Sequence, residues 1–210
     1  MTSPNFLRNA GWAAILSGAS TLLMVVTAIL SSTLKLGNTF SVVVMILMAL
    51  MIVVALALYL LLRPQAKSLS LIAAAIGILG MFLTAVVHVL QMAGVLSTAQ
   101  FNTTGEGIGP AGIGLWLLLA NVLALRGKTF RRALAWIGLV AGAGWLMSGV
   151  GALIGGPETL TKGPQNALSS FGPIGIFLVY PVWGIWLGQW LLKQSSPSIH
   201  LKQEALHDIA

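Results

Sequence analysis

The feature that most constrains this chain is where charge is missing. It carries eleven Lys and Arg and four Asp and Glu residues, and every one lies at the end of a long apolar run or outside the runs altogether. The runs cover 10–30, 40–62, 69–93, 109–125, 132–154 and 170–192. A helix of roughly 20 apolar residues crosses the hydrocarbon core of a bilayer, and five of the six runs reach that length. The fourth is shorter and covers roughly 25 Å as a helix, so it is expected to begin in the headgroup region or to be completed by the Gly-rich residues before it. The chain is 57% hydrophobic and only 7% charged, whereas a soluble domain carries about 25% charged residues. Too little polar surface is left to cover a water-soluble globule, so the expected fold class is all-α, a polytopic transmembrane helical bundle of six spans. Residues 1–193 form the six-span domain, and 194–210 form a polar cytoplasmic tail.

The first run is too long for the apolar segment of a secretory signal, which typically has about 7–15 residues. It ends in Ser31-Ser32-Thr33-Leu34-Lys35 without a clean small-residue cleavage site. It reads as a retained first span.

The charges also record the threading. Arg8, Arg63, Lys67, Arg126, Lys128, Arg131, Arg132, Lys193 and Lys202 fall on one side of the alternating spans, nine cations in all. The other side has Lys35 and Lys162, offset by Glu106 and Glu158. The positive-inside rule then places both termini in the cytoplasm. The flanking cations account for the net charge of +7 without nucleic acid, which is not expected as a partner. The expected partners are the lipid bilayer, anionic lipid headgroups at the cytoplasmic loops, and a membrane-protein partner or further copies of the chain. The expected location is integral to a membrane.

The loops are short inside and longer outside. Pro64 ends span two, and the hairpin at 126–132 is basic but has no Walker-type Gly pattern leading into Lys128. The outer segments 96–112 and 155–169 are rich in Gly and Pro and read as irregular surface turns. Asn102-Thr103-Thr104 has the form of a glycosylation sequon. Ile199, Leu201, Leu206 and Ile209 could give the tail an amphipathic stretch or simply lie in a frayed end.

Helices in lipid gain nothing from hiding apolar surface, so they associate through close backbone contact and polar contacts. Gly occurs 24 times. Gly138 and Gly142 on span five, and Gly184 and Gly188 on span six, form GxxxG pairs and are the expected helix-packing positions. Gly18, Gly77 and Gly138 recur about 60 residues apart, which fits three stacked helical hairpins or a shared Ala/Gly/Leu composition.

Little is left inside the membrane to do chemistry. No cysteine is present, which removes thiolate, disulfide and zinc-thiolate chemistry. His88 is the one histidine within a run; His200 and His207 lie in the tail, so a bis-histidine haem site has no second ligand. Ser148 and His88 lack the sequence context and order of a rhomboid-type dyad, and no lysine lies within a run to form a Schiff base. No catalytic residues, no metal site and no cofactor are expected. Thr84, His88 and Gln91 fall at i, i+4 and i+7 and share one face of span three. That polar stripe should face the bundle interior, either as a ligand-binding position or as a neutral imidazole tied to a neighbouring helix. Span six holds Tyr180, Trp183, Trp186 and Trp190 around Pro181, either a packing kink with an interfacial Trp belt or the aromatic wall of a pocket. Tyr180, Trp183 and Trp186 therefore join Thr84, His88 and Gln91 as ligand-binding candidates. Most of the seven Trp residues are expected at the interface, and Asn121 in span four is expected to make a helix–helix contact.

Three stretches, AGWAAILSG at 10–18, RRALAWIGLVAG at 131–142 and YPVWGIWLGQWLL at 180–192, resemble a bacterial family of small polytopic membrane proteins described as a domain of unknown function. The resemblance implies a six- or seven-span helical protein of bacterial origin and brings no catalytic or binding residues with it. Two functions follow from the residues. One is a non-enzymatic membrane protein acting by association, as an accessory or scaffold subunit or a self-assembled bundle. The other is a binder or carrier of a small apolar or neutral molecule. The topology has a direct test: a C-terminal reporter active only on the external face would overturn the placement of both termini in the cytoplasm.

Overall fold

A computed structural model describes residues 3–34, 38–97, 100–101, 107–155 and 171–195. Among them lie six helices long and apolar enough to cross a membrane, and no strand. They are α1 (Pro4–Leu34), α2 (Thr39–Leu62), α3 (Lys67–Met92), α4 (Gly109–Arg126), α5 (Arg132–Gly155) and α6 (Phe171–Gln194). The all-α, six-span reading of the sequence therefore holds. Lys35, Lys162, Lys202, Glu106, Glu158, the Asn102 sequon and the segment 196–210 lie outside the described residues.

The helix ends have local causes. α1 starts six residues before the apolar run because Ser3 and Pro4 open a helix well. Ser3 Oγ accepts a hydrogen bond from the Phe6 amide at 3.3 Å, and proline at the first helical position gives up an N–H that would have no partner there. α4 is preceded by a wider π-type turn at Gly107 and Ile108, so the short fourth run is completed by the Gly-rich residues before it. α6 contains another π-type turn, Gly175–Val179, immediately before Tyr180 and Pro181. Proline has no N–H and cannot close the normal helical bond to the carbonyl four residues back. The wider turn absorbs that break without ending the helix.

Each helix packs against its neighbours in sequence, and α6 packs back on α1. The result is a closed ring of antiparallel helices with a filled centre. Its seams are narrow where glycine allows it. A Cβ on Gly144 of α5 would stand 2.5 Å from the Gly175 Cα of α6, and one on Gly188 of α6 would stand 2.5 Å from the Gly11 carbonyl oxygen of α1. At Gly80 of α3 the nearest atom would be the Gly109 carbonyl oxygen of α4, at 2.8 Å. The GxxxG glycines also face other helices of the same chain. Gly138 and Gly142 meet Asn121 and Leu117 of α4, while Gly184 and Gly188 meet Ala14, Gly18, Gly11 and Ile15 of α1.

Antiparallel order brings the described cations to one end of the bundle: Arg8 in the early turns of α1, Arg63 and Lys67 between α2 and α3, Arg126 to Arg132 between α4 and α5, and Lys193 at the end of α6. Two loops at that end are fastened together. Gln65 Nε2 donates to Thr129 Oγ1, and the Gln65 side chain fills the place a Cβ on Gly127 would need.

The seams give a stability prediction. Gly144→Ala forces a methyl against backbone that has no flexible end to move aside, and overpacking of this kind costs about 1–3 kcal/mol. Ala133→Leu, on an outward position of α5, should leave the melting temperature in detergent unchanged while Gly144→Ala lowers it.

Candidate functional site

Two separate groups of interior polar side chains bear on the candidate residues. The first is the α3 stripe. Thr84 Oγ1 donates to the Gly80 carbonyl of its own helix at 2.9 Å, which uses up the hydroxyl locally. His88 Nδ1 lies 3.1 Å from Ser41 Oγ of α2, a hydrogen bond whose donor depends on the imidazole tautomer. The Phe101 ring stands edge-on to His88 at 5.0 Å, and Phe40 is tilted against it at 6.1 Å. His88 is only 4% exposed. Gln91, one turn on, is half-buried. The stripe thus faces inward, and among the described residues His88 packs against Ser41, Phe40 and Phe101. Ser41 and Phe101 are the partners that sequence reasoning missed. Nothing in the sequence paired a hydroxyl on α2 with His88, because the two lie 47 residues apart.

The second lies at the centre of the ring. Tyr180 Oη donates to Ser17 Oγ of α1 at 3.0 Å, and Ser17 Oγ donates to the Ala14 carbonyl at 2.8 Å. Trp183 Nε1 donates to Asn121 Oδ1 of α4 at 3.3 Å, and Asn121 Nδ2 donates to the Leu117 carbonyl at 2.8 Å. Aromatic edges complete the layer: Trp116 against Trp183 at 6.5 Å, Trp145 against Tyr180 at 6.1 Å, and Tyr180 tilted on Trp183 at 5.7 Å. Trp116, Trp183 and Tyr180 are almost wholly buried. They fill the space that a pocket would need. Asn121 makes its contact with α6 through Trp183 and also packs on Gly138 of α5.

The ligand candidates do not converge. Thr84 packs against Gly109 of α4 in the α3–α4 seam, His88 belongs to the α2–α3 seam, Tyr180 and Trp183 lie at the ring centre, and Trp116 of α4 stands between Gly77 of α3 and Trp183. Trp186 belongs to neither place. It lines a small cleft at the basic end of the bundle with Arg131, Leu134, Gln189, Trp190 and Lys193. The tryptophans divide accordingly. Trp116, Trp145 and Trp183 are core residues, Trp12 and Trp136 face outward, and Trp186 and Trp190 are half-buried. Local sequence context gave no way to separate core from outward tryptophans, since both kinds lie in apolar helices.

Among the described residues no group of His, Cys, Asp or Glu is placed to hold a metal ion. One buried side-chain donor, Trp145 Nε1, has no hydrogen-bond partner. Close by on α6 the backbone ladder is also interrupted. The Tyr180 amide donates to the Gly175 carbonyl, five residues back, and Pro181 has no amide to offer. The unpaired Trp145 Nε1 and the bonded Trp183 Nε1 are two buried indoles in different states. They predict a contrast between conservative variants. Trp183→Phe leaves the buried Asn121 oxygen without its donor, a penalty of about 1–3 kcal/mol, while Trp145→Phe breaks no hydrogen bond. Thermal unfolding in detergent should rank Trp183→Phe as clearly the more damaging, and equal losses would contradict the network described.

No curated protein and no solved structure matches the chain. The family described as "Domain of unknown function (DUF4386)" matches residues 31–194, which takes in five of the six helices and the end of the first. The stretches at 131–142 and 180–192 lie within that match, and the one at 10–18 precedes it. By the extent of that match, covering the ring from the end of α1 to the last turn of α6, the chain belongs to the DUF4386 family.

Proposed function

We propose that this protein is a non-enzymatic integral membrane protein that works by association, as an accessory or scaffold subunit or a self-assembled bundle, in a bacterial cytoplasmic membrane with both termini inside. The observation that carries this reading is the state of the interior. Apart from the Trp145 indole, the buried polar side chains described are hydrogen-bonded to one another or to their own helix backbone, and the largest interior side chains are fully buried. No carboxylate belongs to the described residues, so the spans hold no acid to carry a proton or pair with a cation. A core of this kind supports a fixed shape, and a fixed shape in a membrane acts through its outer surface.

Outward positions such as Leu79, Phe82 and Val89 on α3 and Ile174 and Leu178 on α6 offer large apolar side chains. The small-residue seams are used within the chain. A partner would therefore meet side-chain surface and not a bare glycine groove, and such contacts rest on van der Waals fit. The reading of a small-molecule carrier draws less support, because its candidate residues are split among the α2–α3 and α3–α4 seams, the ring centre and the basic end.

Native mass spectrometry from a gentle detergent distinguishes the two. Association predicts complexes with a second copy or with a defined membrane protein that persist in His88→Ala. A monomer carrying one equivalent of a small neutral molecule, lost in His88→Ala, would overturn the reading.

A further inference from the structure

The cleft at the basic end of the bundle joins charge to aromatic walls. It measures about 80 Å³ and is lined by Arg131, Leu134, Trp186, Gln189, Trp190 and Lys193. Two helices form it. Arg131 and Leu134 stand at the beginning of α5, and the other four residues lie in the last turns of α6. Phe130 braces the wall from the loop side, its ring edge-on to Trp190 at 5.4 Å.

The chemistry of the lining is one-sided. It offers a guanidinium, an ammonium, a carboxamide and two indoles, and no carboxylate. Neither cation makes an ion pair among the described residues, which contain no Asp or Glu. The first turn of α5 adds the free N–H groups and partial positive charge of a helix start, and no acidic side chain in that turn offsets it. A site with these donors favours an anion whose oxygens can be shared between a planar guanidinium and a point cation, and a phosphate fits that description.

The position of the cleft separates a lipid from a free phosphate. On α6, Val182, Trp186, Gln189 and Lys193 fall at i, i+4, i+7 and i+11 and so follow one face of the helix. Val182 is an outward apolar residue and Lys193 lies at the helix end. Along that single face the surface passes from hydrocarbon through indole to cation, the order of polarity in a phospholipid from chain to headgroup. We propose that this cleft is a binding site for an anionic phospholipid, with the phosphate between Arg131 and Lys193, the glycerol region against Trp186 and Trp190, and an acyl chain running along the outward face of α6. The site is more local than a general attraction of basic loops to an acidic membrane. It uses Arg131 and Lys193 and leaves Arg63, Lys67 and Lys128 outside. It does not depend on the association reading, since a lipid site is compatible with a monomer or a complex.

The test is lipid binding to the delipidated protein, followed by native mass spectrometry, with phosphatidylglycerol, phosphatidylcholine of the same chains, and inorganic phosphate as probes. The variants are Arg131→Gln with Lys193→Gln, and Lys128→Gln as a basic residue of the same end that lies outside the cleft. All three positions are at the surface, and an unchanged melting temperature verifies the fold. The expected result is one tightly held phosphatidylglycerol, preferred over phosphatidylcholine, whose affinity falls about tenfold or more in the double variant and stays within about twofold in Lys128→Gln. Equal binding of both lipids, or equal losses in the two sets of variants, would overturn the proposal. So would inorganic phosphate displacing the lipid at equal concentration, which would mark a site for free phosphate.

Discussion

In a hydrocarbon solvent two helices gain nothing by hiding leucine from each other, so this bundle depends on how closely its backbones approach. The seams between α3 and α4, α5 and α6, and α6 and α1 each bring glycine against backbone of the facing helix. At that distance many weak dispersion contacts add up along the helix, and one added methyl group has no place to go. Closure of the ring follows, because α6 returns to α1 through the same kind of contact that joins α3 to α4 and α5 to α6. The aromatic centre depends on it too: Trp116 fits only because Gly77 on α3 gives it room.

Polar groups have a different task. Interhelical hydrogen bonds in membranes average only about 0.6 kcal/mol, so the bonds from Tyr180 to Ser17 and from Trp183 to Asn121 add little net attraction. Their weight lies in specificity, since any rotation of α6 would strand a hydroxyl or an indole N–H in an apolar core. They hold α6 in register against α1 and α4 across a π-type turn and a proline that would otherwise make it the least regular helix. The unpaired Trp145 Nε1 beside that irregular stretch shows that satisfaction is incomplete where the backbone ladder is broken.

This division of labour bears on function. Intramembrane polar residues are often the working parts of a transporter or enzyme, and here Ser17, Asn121, Tyr180 and Trp183 bond to one another or to helix backbone. The surfaces left over are the outward apolar faces and the basic end. The cleft between α5 and α6 is the place where those two surfaces meet, and it is assembled from residues that are unremarkable one at a time: two flanking cations, two tryptophans of an interfacial type and a glutamine.

Sequence alone is enough for the class, the number of spans and the grouping of cations on alternate loops, because each rests on local composition: a charge-free run of sufficient length must be a helix in lipid, and antiparallel order follows from short connections. It also marked Thr84 and His88 as inward-facing, since their spacing is a property of one helix. Tertiary structure decided what those residues touch. That His88 meets Ser41 and Phe101, that Tyr180 and Trp183 fill the centre while Trp186 turns to the basic end, and that the GxxxG glycines serve seams inside the chain are all consequences of which helix stands beside which. Helical periodicity assigns each side chain a face, but the neighbour opposite that face is chosen by backbone fit over the whole ring, which no single run of residues encodes.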